Sequence, residues 1–360
     1  MLKRLKENEL PFEEFVALAL YDPDSGYYSA PKSGLDYATS VDLSPVFPFA
    51  LSRFVLRFLA AAGDGVCSVV DIGCGDGSLL AGIRDNLPES VLSRVQLIGI
   101  DRSAGRLRPE LASDPALHFA GSIEAIDPAR PALVLSNELF DAFPFARLVR
   151  REEGLRELTV RAEGEELGWG ERPAREEYVR YFASREIELE IGQFADISLE
   201  WERFYGELAG RIERGVILTI DYGFPQEKLF DIRVRRYGTA VAFHRHRLNR
   251  DLMANPGEQD LTAHINFTDL ERGGEARGWR TAGFLRQARF LLENGAADHP
   301  LLAPRESVEP ASAEGAVELA AMRDSARRLL LPDGIGDEMR VLIQTREIGL
   351  DEGPRTKSDF

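Results

Sequence analysis

Between residues 65 and 149 the chain alternates short apolar runs with helix-like or turn-rich segments. The runs are CSVVDIG, VQLIGID, LHFAG and ALVLSNE. Because they are continuously apolar rather than alternating, they predict strands buried on both faces, as in a parallel sheet covered by helices. Between the first two, SLLAGIRDNL sets Leu79, Leu80, Ile83 and Leu87 at the spacing of one helical face, which makes a βαβ unit. A fifth run, VILTIDYG at 216–223, follows a predicted helix whose apolar face is Ile197, Trp201, Phe204, Leu208 and Ile212, with Ser198 as its N-cap.

The sheet pattern is interrupted twice. Residues 150–196 are dense in Arg and Glu and contain LRELTVRA, an alternation that predicts a hairpin with a solvated face; residues 225–278 form a second insertion carrying three of the five histidines. The pattern resumes with FLRQARFLL, an Ala-rich helix near 314–331 and the strand MRVLIQT. Ahead of the sheet, FEEFVALALY and SPVFPFALSRFVLRFLAAAG read as helices, joined by a connector too long for a simple turn and rich in tyrosine (Tyr21, Tyr27, Tyr28, Tyr37). The expected organisation is an α/β chain with a doubly wound, Rossmann-like sheet. Its parts are an N-terminal helical cap and lid loop (1–60), a core (61–149 and 197–224), the two insertions (150–196 and 225–278), the C-terminal part of the core (279–350) and a polar tail (351–360).

Candidate chemistry begins at Asp71-Ile72-Gly73-Cys74-Gly75-Asp76-Gly77, a strand running into three alternating glycines and then a helix. Glycines there allow a sharp turn and close approach of a ligand to the backbone. The dinucleotide fingerprint needs its third glycine at 78, where the chain has Ser78, and Asp76 at the helix start disfavours a pyrophosphate. A ligand bearing an ammonium and a sulfonium, with Asp71 as the nearby anion, fits better, and S-adenosylmethionine is such a ligand. Asp101 closes the second strand, where a carboxylate can accept the ribose hydroxyls; by analogy, adenine is expected near Gly121, Ser122 and Ile123. The fourth strand ends in Asn137-Glu138-Leu139-Phe140-Asp141. One helical turn there would put Glu138 and Asp141 on the same side, either holding a cationic acceptor or capping a helix.

Composition narrows the class. The 44 Lys and Arg face 60 Asp and Glu, a net charge of −16, which opposes a nucleic-acid partner. No apolar run approaches the roughly 20 residues of a bilayer span, so membrane insertion is not expected. MLKRLKENELPFEEF lacks the apolar core of a secretory signal, and two cysteines, Cys67 and Cys74, give neither a disulfide framework nor a zinc quartet; a cytoplasmic location is expected. His244 and His246 flank Arg245 on a predicted strand, but with His264 they lack the further ligands of a usual metal site, and no metal is expected. Asp260 and His264 read as part of an acceptor-site wall or as structural hydrogen-bonding groups. The tyrosines 21, 27, 28 and 37 read as a cofactor lid or as packing.

Several separated blocks resemble the MidA-type class I methyltransferases, a family that includes the mitochondrial arginine methyltransferase assisting assembly of respiratory complex I. The blocks are Leu20-Tyr21-Asp22-Pro23 with Gly26-Tyr27-Tyr28, and Asp36-Tyr37-Ala38-Thr39-Ser40 with Ser44-Pro45-Val46-Phe47. They continue with the glycine loop, Asn137-Glu138 and Asp141-Ala142, Ile220-Asp221-Tyr222-Gly223, Ala254-Asn255-Pro256-Gly257-Glu258 and 260–267, DLTAHINF. The chain departs from the family at Leu35, at Val41-Asp42 where Pro-Glu is usual, at Asn266 where Asp is usual, and at Phe243 where Tyr is usual. The resemblance implies S-adenosylmethionine as cofactor, with Thr39, Ser40 and Asn137 joining the residues above at its site. It implies a protein arginine as acceptor, on a respiratory NADH dehydrogenase subunit or similar protein, with Glu138, Asp141, Asp260 and His264 as catalytic candidates. Two alternatives stand beside it: a non-catalytic assembly scaffold that keeps the fold, and a NAD(P)-dependent oxidoreductase.

Overall fold

A computed structural model describes residues 9–29, 40–103, 106–164, 166–245, 247–302, 312–332 and 334–350. The central sheet is built on seven strands: β1 (Cys67–Ile72), β2 (Val95–Ile100), β3 (Leu117–Ala120), β4 (Ala132–Asn137), β5 (Gly215–Phe224), β6 (Arg280–Arg286) and β7 (Met339–Arg346). Their order is β6-β7-β5-β4-β1-β2-β3. Strands β1 to β5 pair in parallel, and β7 runs antiparallel to both β5 and β6. Every residue of β1 is buried, as the unbroken apolar run requires of a strand covered on both faces. From β1 the chain winds outward to β3, then returns to place β4 on the other side of β1 and winds the opposite way. The carboxyl ends of β1 and β4 therefore flank the topological switch point, where open α/β sheets bind ligands.

Contacts divide the chain into two compact units. The sheet unit comprises 38–139, 205–222 and 270–360. In it the helix Val46–Ala62 buries Phe47, Leu51, Phe54 and Phe58 in one cluster with Leu79, Leu80 and Ile83 of the helix Ser78–Asn86, a face with the predicted helical spacing. Burying a side chain of phenylalanine size contributes about 1.5–3 kcal/mol, so this helix is an integral part of the sheet's cover.

The second unit comprises 1–37, 140–204 and 223–269. Its hairpin, Gly154–Glu163 against Glu166–Pro173, is widened by Ala146–Arg151, Phe194–Ile197 and the two-residue strand Leu10–Pro11. The helix Phe12–Tyr21 buries Phe12, Phe15, Val16, Ala19 and Leu20 with Phe145, Val160, Leu252 and Leu261. The first 60 residues thus do not form one cap: 12–21 packs with the insertions, whereas 46–62 packs on the sheet.

Two local expectations are corrected. The helix Glu200–Arg211 starts later than predicted, because Ile197 belongs to a strand; among the described residues the buried hydroxyl of Ser198 has no hydrogen-bond partner and so caps no helix. His244 ends the strand Val241–His244 and pairs with Arg247 of the next strand, so the chain folds back at Arg245 (φ 50°) instead of carrying both histidines along one strand; His246 lies outside the described residues. Among the described residues no helix is long and apolar enough to cross a membrane.

Candidate active site

The loop after β1 takes its shape from glycine. Gly73, Gly75 and Gly77 have φ of 75°, 53° and 86°, left-handed conformations that residues with a Cβ rarely adopt. A Cβ on Gly73 would fall 2.9 Å from Leu139 Cδ1, so the loop presses against the residue that follows Glu138. A Cβ on Gly75 would meet nothing within 4 Å; it would point into open space in front of the loop. Asp76 accepts from Ser78 N (2.9 Å) and pairs with Arg108, which spends its charge on the helix start.

Two acids flank this loop. Asp71, in register with Leu135 of β4, is buried; among the described residues its Oδ2 finds no hydrogen-bond partner. Burial, reinforced by Asp101 and Asp76, pushes its carboxyl up to about 7. Asp101 accepts from Gly75 N (3.0 Å) through Oδ2 and from Ser103 N (2.7 Å) through Oδ1. A carboxylate has about four lone-pair sites, so these two bonds fix its orientation and leave capacity for ribose hydroxyls. Ser122 sits past the end of β3 and caps the short turn Ile123–Ala125 by accepting from Glu124 N (3.2 Å).

Beyond β4, residues 138–141 form no helical turn, contrary to the expectation. Glu138 has φ 52°, and its N–H makes the last ladder bond of β4, to Ile220 O of β5 (2.9 Å), so the chain leaves the strand at this residue. Its Oε1 accepts from Ser40 N (3.2 Å) and from Asn137 Nδ2 (3.2 Å). A non-glycine residue held in the left-handed region, with its carboxylate clamped, is stored strain of the kind found at functional sites. Asn137 Oδ1 is buried and has no hydrogen-bond partner among the described residues. Ser40 contributes its amide rather than its hydroxyl, which is buried against Gln287 Nε2 (3.1 Å) and Met339. Thr39 and Tyr37 lie outside the described residues. Gln287 gave no signal in the sequence: a lone Gln before an apolar stretch has no pattern to mark it.

These residues fit the expected cofactor. The orphaned Asp71 Oδ2 suits an ammonium donor, Asn137 Oδ1 awaits another donor, and the space before Gly75 admits a ligand against the backbone.

The remaining candidates belong to the second unit. Asp141 is buried and accepts from Thr262 Oγ1 (2.9 Å), while its carbonyl accepts from Ala263 N (3.3 Å). Tyr28 donates to both oxygens of Asp260 (3.0 Å each), and burial followed by that carboxylate holds the phenol well above its usual range. Tyr21 stacks on Tyr28 (5.5 Å) and donates to Ala142 O (2.8 Å), so both tyrosines bind within their own unit. His264 anchors its backbone N–H on Thr239 Oγ1 (3.1 Å), lies against Phe224, and lines one small cavity with Asp141, Tyr181 and Trp201. Asn266 is structural: its Oδ1 caps the helix Phe267–Glu275 through Thr268 N, and its Nδ2 donates to Tyr181 and Asp269. Among the described residues no group of three or more His, Cys, Asp or Glu is arranged to hold a metal.

Residues 50–285 match the family model described as "Putative S-adenosyl-L-methionine-dependent methyltransferase". The chain is 27% identical over 334 residues to the mitochondrial protein arginine methyltransferase NDUFAF7 homolog of Drosophila melanogaster, covering 80% of this chain and 72% of that protein. It is 25% identical over 302 residues to the mitochondrial protein arginine methyltransferase NDUFAF7 of Danio rerio, covering 72% and 67%. A Burkholderia thailandensis protein crystallised with S-adenosylhomocysteine superposes with a TM-score of 0.79 at 27% identity, over 95% of this chain and 89% of that one. A native crystal structure from the same organism gives 0.81 at 26%, over 98% and 92%.

Proposed function

The chain belongs to the MidA-type family of S-adenosylmethionine-dependent methyltransferases, and from that membership we propose that it methylates an arginine side chain of a protein. A respiratory NADH dehydrogenase subunit is the first acceptor to test, and the cytoplasm is the compartment proposed for the reaction. What supports the reading is the Glu138 carboxylate: it stands at the carboxyl end of β4, one residue from the side chain packed on the glycine loop, clamped by Ser40 N and Asn137. The relatives named as protein arginine methyltransferases support the acceptor class.

When bound, S-adenosylmethionine supplies an electrophilic methyl group on sulfur. The guanidinium that receives it is protonated at any cellular pH, with a pKa above about 12, so its nitrogens are poor nucleophiles. A fixed carboxylate counters this in three ways. Glu138 orients the guanidinium, draws positive charge toward the nitrogens it touches, and accepts the proton released as the new N–C bond forms. Because its carboxylate is already held by an amide and a carboxamide, little ordering remains for the moment of reaction. Asp141 follows three residues later in the chain and is the second acid proposed to act on the acceptor; Asp260 and His264 are weaker candidates. Asp71, Gly73, Gly75, Gly77, Asp101, Ser122, Ile123 and Asn137 are proposed to hold the cofactor.

Glu138→Gln keeps shape and removes charge. It is expected to leave cofactor affinity within about threefold while turnover on an arginine-containing acceptor falls at least 100-fold, about 2.7 kcal/mol of transition-state stabilisation. Calorimetry with S-adenosylhomocysteine and mass spectrometry of the acceptor read the two effects separately. Normal methylation by this variant overturns the role of Glu138; loss of cofactor binding moves Glu138 into the nucleoside pocket.

A further inference from the structure

The helix Ala313–Arg328 of the sheet unit breaks the rule that its inner face be apolar. Ala326 and Leu329 are buried on that face, and so is Arg323, which is only 9% exposed. Arg323 Nε and Nη2 are both buried, and among the described residues neither finds an acceptor. Buried guanidinium donors left without acceptors are costly, and proteins rarely keep them unless something else supplies the acceptor. Ala326, three residues after Arg323, is its buried neighbour along the helix.

The position of this helix narrows what the anion is. It packs on the turn Ser40–Leu43, the same turn whose Ser40 N–H holds Glu138 at the end of β4. The cofactor's amino-acid end carries an ammonium, for which Asp71 Oδ2 has no partner among the described residues, and also a carboxylate, for which the glycine loop at 71–77 carries no basic residue. Arg108, the basic side chain bonded to that loop, is committed to Asp76. In a chain with a net charge of −16, a carboxylate cannot rely on the average field and needs a local cation.

We propose that Arg323 is a carboxylate-binding residue that anchors the α-carboxylate of the methionine moiety of the cofactor. Its planar fork makes the bidentate pair that this anion favours, and the pair neutralises both buried charges at once. The proposal rests on the cofactor and not on the identity of the acceptor.

The test compares native protein with Arg323→Met, using S-adenosylhomocysteine and 5′-methylthioadenosine, which shares the nucleoside and lacks the amino-acid end. The variant is expected to bind S-adenosylhomocysteine at least tenfold more weakly, to bind 5′-methylthioadenosine within twofold of native, and, without ligand, to melt no lower than native because an unpaired buried charge has gone. Arg323→Lys, which keeps the charge and loses the fork, is expected to fall between the two. Unchanged affinity for S-adenosylhomocysteine overturns the proposal, and if KM for the acceptor rises instead, the carboxylate belongs to an acidic side chain of the acceptor. A ligand-free variant that melts several degrees lower also overturns it, since that marks a structural arginine. Native protein that binds neither ligand sinks the cofactor assignment itself.

Discussion

Asp71 illustrates how a single residue couples burial to binding. Its carboxyl is pushed up to about 7 by desolvation and by its acidic neighbours, so in the ligand-free protein it is protonated on the acid side of neutrality. An ammonium pairs with the ionised form. Affinity for S-adenosylhomocysteine should therefore rise as pH increases from about 5.5 to 7 and level off above, and Asp71→Asn should bind weakly with a flat profile; a native profile without that rise would remove Asp71 from the ammonium site. The same shift has the opposite sign for stability. A folded pKa above the ordinary 3.8 means that the folded state holds the proton longer than the unfolded chain, so this group's contribution to stability is full below 3.8 and is lost as pH rises to about 7. Asp71 and Asp101 are legible in the sequence because each ends an apolar run. Glu138 is legible as an acid at a strand end but not as a left-handed residue, since nothing in the apolar pattern marks a non-glycine residue for positive φ. Arg323 is not legible at all: in a helix that mixes charges with alanines nothing distinguishes a buried arginine from a solvated one.

At the level of elements, the glycine loop makes the sharpest demand on sequence. Gly75→Val adds a Cβ that meets nothing within 4 Å among the described residues, but it must hold φ near 53° and fill the open space in front of the loop. The strain alone costs roughly 1–2 kcal/mol, so the variant should remain folded by circular dichroism with a modestly lower melting temperature. Binding of S-adenosylhomocysteine should disappear; near-native affinity in a folded variant would mean that the ligand lies elsewhere. The strands were readable because residues buried on both faces leave an unbroken apolar run, and the hairpin at 154–173 because one solvated face enforces alternation. Elements whose geometry depends on distant partners escaped. The strand Phe194–Ile197 takes Ile197 away from the helical face its spacing suggests, because Ala146 pairs with it.

For the molecule as a whole, the excess of acid bears on the partner. A net charge of −16 repels nucleic acid and attracts a basic acceptor, so with an arginine-rich peptide kcat/KM should fall by about tenfold between roughly 0.05 and 0.5 M salt, whereas kcat should change little. A kcat/KM indifferent to salt would show that acceptor capture owes nothing to this field. The division into two units follows neither insertion boundary, because hydrophobic patterning marks where an element is and not which core it joins. The position of β7 has a further consequence for biosynthesis. Among the described strands it is the last to be made, yet it lies between β5 and β6 and pairs with both. Until the ribosome has released the chain through Arg346, β6 has no neighbour and β5 presents a bare hydrogen-bonding edge, the exposure that invites association with other chains. A message cut short before Met339 therefore yields a polypeptide with the whole cofactor loop and no way to close the sheet that shapes it.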